Sequence, residues 1–373
     1  MTAGTDGDRY LILSIDGGGI RGIIPAMLLQ DLERNAGLRL KDVALFAGTS
    51  AGSLTALGLA AGMTIDKIAS VYADPNNSRR IFTPYDGSAD SHRWGCLGIL
   101  MALVQRLVRG RQTGMLGTLN HLLNPRYTSR GFRELIVELA PAVKLRDLGP
   151  KVYAPSLVLD SSEGGRATWR ATAFHNFPGR ANTGGFDGHR DALLVDAVVA
   201  SSSAPVDFPP EMYDGKLYVD GGMIARNPSA LALTAAMGAG LVGNGGAPLE
   251  RVRMLSLGTG ESTTVYPPLD VALPPPFGAL GWLWPTARGR KGETPAVPLA
   301  SALSDAVVEM ANYQSGILLP EGTYRRVDLD LGNSQIALDD AAAIPELQRL
   351  TTKYMESSEW EQVRHWVREQ FRK

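Results

Sequence analysis

The stretch from Tyr10 to Ala61 restricts the fold more than any other part of the chain. Tyr10 to Ile15 (YLILSI) is a short apolar run that stops at Asp16 and three glycines, the pattern of a buried strand. Ile23 to Arg34 follows with apolar residues at helical spacing (Ile24, Met27, Leu28, Leu32). Val43 to Ala47 reads as a second buried strand, and Ala51 to Ala61 as a helix of small residues. Strand, glycine loop, helix, strand, tight turn and helix, in that order, favour a parallel sheet covered by helices. Further strands are expected at Val152 to Leu159, Ala167 to Phe174, Leu217 to Val219 and Arg253 to Leu257. Helices are expected at Leu193 to Ala200, Ser229 to Leu241, Val297 to Gln314 and Ile344 to Phe371.

Two segments interrupt the alternation. Residues 79–133 carry nine arginines (Arg79, Arg80, Arg93, Arg106, Arg109, Arg111, Arg126, Arg130, Arg133) against Asp86 and Asp90, in a chain of net charge −1. Tyr266 to Pro298 is rich in proline and glycine, carries Phe277, Trp282 and Trp284, and reads as a long surface loop of the kind used as a lid. With 373 residues, 44% of them apolar, the chain has material for one large catalytic domain. Its expected parts are a core over 10–260, a basic helical insertion over 79–133, the loop over 266–298 and C-terminal helices over 299–373. The near-neutral total argues against DNA or RNA as a partner. A single cysteine, Cys96, rules out an intrachain disulfide and cysteine-rich zinc sites, and suits a reducing compartment. Met1 to Arg9 lacks the features of a signal peptide, and the longest apolar run, Trp94 to Val104, is shorter than the roughly 18 residues a membrane span needs. The expectation is a cytoplasmic protein.

Gly17-Gly18-Gly19-Ile20-Arg21-Gly22 satisfies G-x-G-x-x-G and suggests a dinucleotide site. That reading needs an acid at the end of the next strand, for the ribose. Asp42 lies at the start of that strand; at its end stands Gly48-Thr49-Ser50-Ala51-Gly52. This second motif fits G-x-S-x-G in the strand–turn–helix context a nucleophilic serine requires. Flanking glycines let the backbone pass closely, and the helix N-terminus offers partial positive charge to a developing alkoxide.

A serine nucleophile needs a base and oxyanion donors. Of the histidines His92, His121, His175, His189 and His365, only the last stands late enough for the usual Ser–Asp–His order, and it sits in a charged C-terminal helix. A serine–carboxylate dyad is simpler. Asp220, which ends the run Leu217-Tyr218-Val219 and precedes Gly221 and Gly222, is the candidate base, with an Asp-Gly-Gly turn as the structural alternative. The amides of Gly18 and Gly19 are then candidate oxyanion donors, and Arg21 either holds the loop or faces a substrate phosphate.

Together these elements resemble the patatin-like phospholipases. The match rests on Asp16 to Gly22, Gly48 to Gly52 and Asp220-Gly221-Gly222, in that order. Ala200 to Pro205, Phe208-Pro209-Pro210, Asn227-Pro228, Ser256-Leu257-Gly258-Thr259-Gly260 and, more weakly, Leu338 to Ala341 add to it. The resemblance implies an α/β fold, a three-layer α/β/α sandwich with a mostly parallel central sheet and a Ser–Asp dyad at its C-terminal edge. It implies a lipid acyl hydrolase without metal or cofactor. Ser50 would be the nucleophile and Asp220 the proton acceptor, with Gly17, Gly18, Gly19, Arg21 and Gly22 as the oxyanion loop. Gly48 and Gly52 would form the nucleophile elbow. Membrane phospholipids are the expected substrate, met by peripheral contact with the inner face of the membrane. Some bacterial members of similar length are effectors of antiphage defence switched on by cyclic nucleotides. The basic segment is therefore a candidate site for a cyclic di- or trinucleotide or for an anionic membrane, with oligomerisation on activation. A soluble esterase or thioesterase and a non-catalytic dinucleotide-binding module are the alternatives.

Overall fold

Eight strands form one sheet in the computed structural model, which describes residues 8–85, 124–140, 142–163, 166–178, 189–262, 282–283, 298–332, 334 and 336–372. The strands are β1 (Tyr10–Ile15), β2 (Leu45–Gly48), β3 (Lys151–Glu163), β4 (Arg166–His175), β5 (Glu211–Tyr213), β6 (Lys216–Asp220), β7 (Val252–Leu257) and β8 (Tyr324–Val327). Their order is β5-β6-β3-β2-β1-β7-β8, with β4 also paired to β3. From β3 through β8 the neighbours are parallel; β4 and β6 run antiparallel to β3.

Alternation along each strand divides the core in two. Leu11, Leu13 and Ile15 of β1 face one helical layer and Ile12 the other; Leu255 and Leu257 of β7 oppose Val252 and Met254 in the same way. On the first face lie α1 (Ile23–Ala36), α2 (Ala51–Ala60), α3 (Ile65–Ala73), α4 (Pro75–Ile81), α5 (Arg130–Leu139) and α6 (Leu194–Ser202). The other face is covered by α8 (Ser229–Gly238), which follows the single turn α7 (Gly222–Ala225), and by the end of α9 (Pro298–Leu318). This is the expected three-layer α/β/α sandwich. All ten residues of α2 are buried, so the helix that follows the serine turn stands inside the molecule.

The expected strands and helices are present with ends shifted by a few residues. The exception is Ile344 to Phe371, expected as one helix and found as α10 (Ile344–Met355) and α11 (Ser358–Gln370). Ser357 makes the break, since its hydroxyl caps α11 by accepting from the Trp360 amide at 3.2 Å. Trp360 is fully buried and donates to Asp31 on α1, whose two oxygens are also held by Arg364 at 2.7 and 2.8 Å. Trp94 to Val104 and nearly all of Tyr266 to Val297 lie outside the described residues.

One consequence of the topology places the site. β4 occupies one edge of β3 from Tyr153 to Glu163, so β2 and β6 must share the other. β2 pairs there with Lys151 to Tyr153, running along β3, and β6 with Ser156 to Val158, running against it. The carboxyl ends of β2 and β6 therefore meet head to head. Residues far apart in sequence, just past Gly48 and at Asp220, arrive at one place.

Candidate active site

Past the end of β2, the Thr49 amide donates to Ile15 at 3.2 Å and its hydroxyl to the Ala225 carbonyl at 2.7 Å. Ser50 then adopts φ 52°, ψ −127°, a conformation costly for any residue with a side chain, before α2 begins. The turn is tight: a Cβ on Gly48 would sit 2.1 Å from the Gly52 carbonyl oxygen, and one on Gly52 2.3 Å from that of Ile15. The Ser50 amide donates to Ser201 Oγ at 3.2 Å. Ser53, buried in α2, donates to the Ser50 carbonyl at 2.6 Å.

Opposite, Asp220 ends β6 and is 6% exposed. Its amide donates to Ser203, and Oδ1 accepts the Gly222 amide at 2.6 Å. The Ser50 hydroxyl also acts on this carboxyl, favouring its charged form. Burial pushes the Asp220 carboxyl up to about 6, against the pull of the Gly222 amide and the Ser50 hydroxyl, with the Asp207 charge adding slightly to the rise. Gly221 and Gly222 lead into the helical turn α7 rather than a hairpin, and Gly221 passes so close to Pro155 that a Cβ would lie 2.2 Å from its carbonyl oxygen.

The glycine loop folds beside this pair as a 3-10 turn, Gly19–Gly22. The Gly17 amide donates to the Arg226 carbonyl at 3.0 Å, that of Ile20 to Leu338 at 2.9 Å, and that of Arg21 to Gly18 at 3.1 Å. No acceptor among the described residues takes the N–H of Gly18 or Gly19. The expected donor set is thereby narrowed, because the Gly17 and Arg21 amides are already engaged. Gly22 serves packing, with a Cβ there falling 2.6 Å from the Tyr72 ring. Gly19 has φ +56°, where a side chain would be strained and would strike the Leu338 carbonyl. The Arg21 guanidinium holds the loop by its Nε, 3.5 Å from the Gly18 carbonyl, and burial with the neighbouring Arg226 charge lowers its pKa to about 10.

A cavity of about 660 Å³, counting its open mouth, opens from Ser50 and Gly19. Its walls are apolar, with Leu54, Val71, Ile81, Phe82, Phe132 and Phe208 among them. Phe82 packs edge-on and Phe208 tilted against Tyr127, at centroid distances of 5.2 and 5.7 Å. A slot with this lining suits an alkyl chain better than a nucleotide.

Among the described residues, the three histidines lie away from Ser50, and His92 and His121 are outside the described residues. His175 stacks on Tyr153, His189 lies against Phe174 and Tyr218, and His365 is exposed on α11. Asp42 ends a 3-10 turn ahead of β2, far from the position a ribose would need. Among the described residues no cluster of three His, Cys, Asp or Glu could hold a metal ion, and no helix is long and apolar enough to cross a membrane. The basic segment looks different in three dimensions. Arg80 pairs with Glu138, Arg126 with Asp207 and Asp339, Arg130 with Glu134, and Arg133 with Asp196 and Glu211. Arg93, Arg106, Arg109 and Arg111 lie outside the described residues.

One group escaped the sequence altogether. Arg326 of β8 grips Asp16, the residue before the glycine loop, through Nη1–Oδ1 at 2.9 Å and Nη2–Oδ2 at 2.7 Å. It also donates to Ser256 and to Asp328. Leu338, too, was noted only within a weak motif, yet its carbonyl holds the Ile20 amide and its side chain lines the cavity.

An α/β/α sandwich with a strained strand-to-helix serine above an apolar slot belongs to the class of hydrolases that act on lipid esters. The chain is a member of the patatin-like phospholipase family, whose model matches residues 13–233. Among its relatives, CotR of Bacillus subtilis is 28% identical over 257 residues, covering 69% of this chain and 64% of its own length. The cGAMP-activated phospholipase of Pseudomonas aeruginosa is 27% identical over 225 residues, 60% of this chain and 56% of that protein. Patatin-like protein 1 of Oryza sativa is 26% identical over 377 residues, 93% of this chain and 81% of its own. The chain thus spans less than two thirds of the first two of these relatives.

Proposed function

We propose that this protein releases fatty acids from membrane glycerophospholipids through a Ser50–Asp220 dyad. The observation that carries the proposal is a serine in a strained conformation, set beside a buried carboxylate at the mouth of an apolar cavity. In the mechanism, Ser50 Oγ attacks the ester carbonyl while Asp220 takes its proton. The Gly18 and Gly19 amides receive the negative oxygen of the tetrahedral intermediate. Its collapse breaks the ester bond, and the departing alkoxide takes the proton from Asp220. Water, deprotonated by Asp220, then attacks the acyl-enzyme; the fatty acid leaves and Ser50 regains its hydrogen. Residues 1–373 act in this proposal as one catalytic domain, with its core over 10–260.

Contact with the membrane surface is supported by exposed apolar side chains close in sequence to the site residues or lining the cavity. Val206 (70% exposed) is flanked by cavity residues Ala204 and Asp207, Met223 (56%) follows the Asp220 turn, and Leu338 lines the opening. Val206 also has φ 75°, which is costly for a β-branched residue and persists where function requires it. Release of fatty acid from phosphatidylcholine vesicles tests the reaction. Ser50→Ala should abolish both release and labelling by a fluorophosphonate, and substantial turnover by that variant would refute the dyad. Preference for monomeric esters over vesicles would instead favour the soluble esterase.

Activation by a cyclic nucleotide is supported by relatives named as cGAMP-activated phospholipases in Pseudomonas aeruginosa and Escherichia coli. Of the described arginines of the basic segment, Arg80, Arg126, Arg130 and Arg133 are held in ion pairs, while Arg79 donates to the Asn76 side chain. Comparing activity, and mass in solution, with and without a panel of cyclic di- and trinucleotides decides the matter; no response to any of them removes the activation.

A further inference from the structure

We infer that Thr259 and Arg326 are positioning residues that aim the oxyanion loop, Thr259 by turning the Gly17–Gly18 peptide and Arg326 by fixing the carboxylate from which the loop departs. The inference rests on the dyad reading above and adds to it the part of the molecule that orients the donors.

In a trans peptide the C=O and the following N–H point in opposite directions. The Gly17 carbonyl accepts two hydrogen bonds, from Thr259 Oγ1 at 2.8 Å and from Arg226 Nε at 3.2 Å. With its carbonyl turned to Thr259, this peptide presents the Gly18 N–H on its opposite side, where no described acceptor takes it. The next peptide is handled alike. The Gly18 carbonyl accepts from the Arg21 amide, which leaves the Gly19 N–H facing the other way. Two adjacent donors are thus kept free because their partner carbonyls are occupied.

Thr259 is 1% exposed and packs directly on the loop; a Cβ on Gly18 would lie 2.3 Å from its hydroxyl oxygen. Its flanking glycines explain themselves in the same network. Gly260 donates its amide to Asp328 Oδ1 at 2.8 Å, and a Cβ on Gly258 would collide with the Asp328 carboxylate at 2.1 Å. Asp328 is in turn held by Arg326, the residue that grips both oxygens of Asp16. One guanidinium therefore joins the ends of β1, β7 and β8, bracing Asp16 on one side and, through Asp328 and Gly260, the Thr259 turn on the other. A forked, planar cation suits that task and a point charge does not. The motif Gly258-Thr259-Gly260 acquires a function by this route, and Arg326 does so from beyond the stretch that matches the family model.

Loss of one oxyanion donor typically costs about 10²–10³ in rate, and a misaimed donor should cost less, about 10- to 100-fold. Thr259→Val keeps the branched shape and removes the hydroxyl; Thr259→Ser keeps the hydroxyl. On phospholipid vesicles the valine variant should lose about 10- to 100-fold in kcat with KM within about twofold, and the serine variant should recover most of it. A merely structural role would not separate kcat from KM, nor favour Ser over Val. If the valine variant does not fold, Arg326→Lys, which keeps the charge and loses the fork, must show the same kcat-specific loss. The inference is overturned by a folded Thr259→Val or Arg326→Lys enzyme with wild-type kcat, or by a serine variant no better than valine. Ser50→Ala in parallel keeps the two ideas apart. Turnover in that variant refutes the dyad, whereas an inert Ser50→Ala beside an unaffected Thr259→Val refutes only the positioning.

Discussion

Replacing Asp220 by asparagine should destroy activity and make the protein more stable, by an amount that depends on pH. Asparagine keeps the shape and can still accept the Gly222 amide, but it carries no charge into a site that is 6% exposed. In the folded protein burial raises the Asp220 carboxyl from 3.8 to about 6. The folded state therefore binds this proton more tightly than the unfolded chain does. Its contribution to stability is fully present below the ordinary value and is lost as pH rises through 4 to 6. Each pKa unit is worth about 1.4 kcal/mol, so ionised Asp220 costs the fold about 3 kcal/mol at neutral pH. Urea unfolding of wild type and Asp220→Asn at intervals from pH 4 to pH 8 would measure it. The stability advantage of the variant should grow by about 2 kcal/mol between pH 4 and 6.5 and then level off. A difference that stays constant with pH, or shrinks as pH rises, would refute the burial argument, and residual lipid hydrolysis by the variant would refute the role of the carboxylate.

The same group sets the pH dependence of catalysis: kcat/KM should fall on the acid side with a midpoint near 6 as Asp220 becomes protonated, and a limb near 4 would mean the carboxyl is not desolvated in the free enzyme. Ser50→Gly should be inactive yet more stable than Ser50→Ala by about 1–3 kcal/mol, since only glycine relieves φ 52°, ψ −127°; equal urea midpoints for the two variants would show that the turn holds no strain. Phe82→Trp, which adds bulk to the cavity wall, should lower turnover of long acyl chains relative to short ones, and an unchanged chain-length profile would place the acyl group elsewhere. Gly52→Ala should fail to accumulate as folded protein, because its Cβ would lie 2.3 Å from a backbone oxygen that has no room to move, as far-ultraviolet circular dichroism would reveal.

The central strands were legible because burial on both faces writes itself as uninterrupted apolar runs, as in Tyr10 to Ile15. The serine turn was legible because close backbone passage demands glycine on either side. What stayed hidden is what depends on distance in the chain. Arg326 sits in a four-residue strand, YRRV, that carries no apolar run, and its partner Asp16 lies 310 positions away. The partners of Arg80, Arg126 and Arg133 in the basic segment were hidden for a related reason. The acids that offset it, Glu138, Asp196, Asp207, Glu211 and Asp339, all follow it in sequence and meet it only in space. A tally over a window counts such arginines as free when folding has already spent them.

Sheet topology also bears on how a serine mechanism can dispense with histidine. An exposed carboxylate near 4 is too weak a base to draw a proton from a hydroxyl at neutral pH; imidazole, near 6.5, is better matched. Because β6 runs into the end of β2 along one edge of β3, it delivers Asp220 to the interior of the sheet, where water is scarce. Desolvation then carries the carboxyl to about 6, into the range of an imidazole. In the proposed dyad the fold thus substitutes burial for a second residue. The base retains its strength only while the site stays closed around it. Any change that admits water to Asp220 should lower its pKa toward an ordinary carboxylate and slow proton transfer even with Ser50 and Asp220 in place. The walls nearest the dyad, Leu338 of the C-terminal segment among them, therefore govern the chemistry as well as the choice of acyl chain.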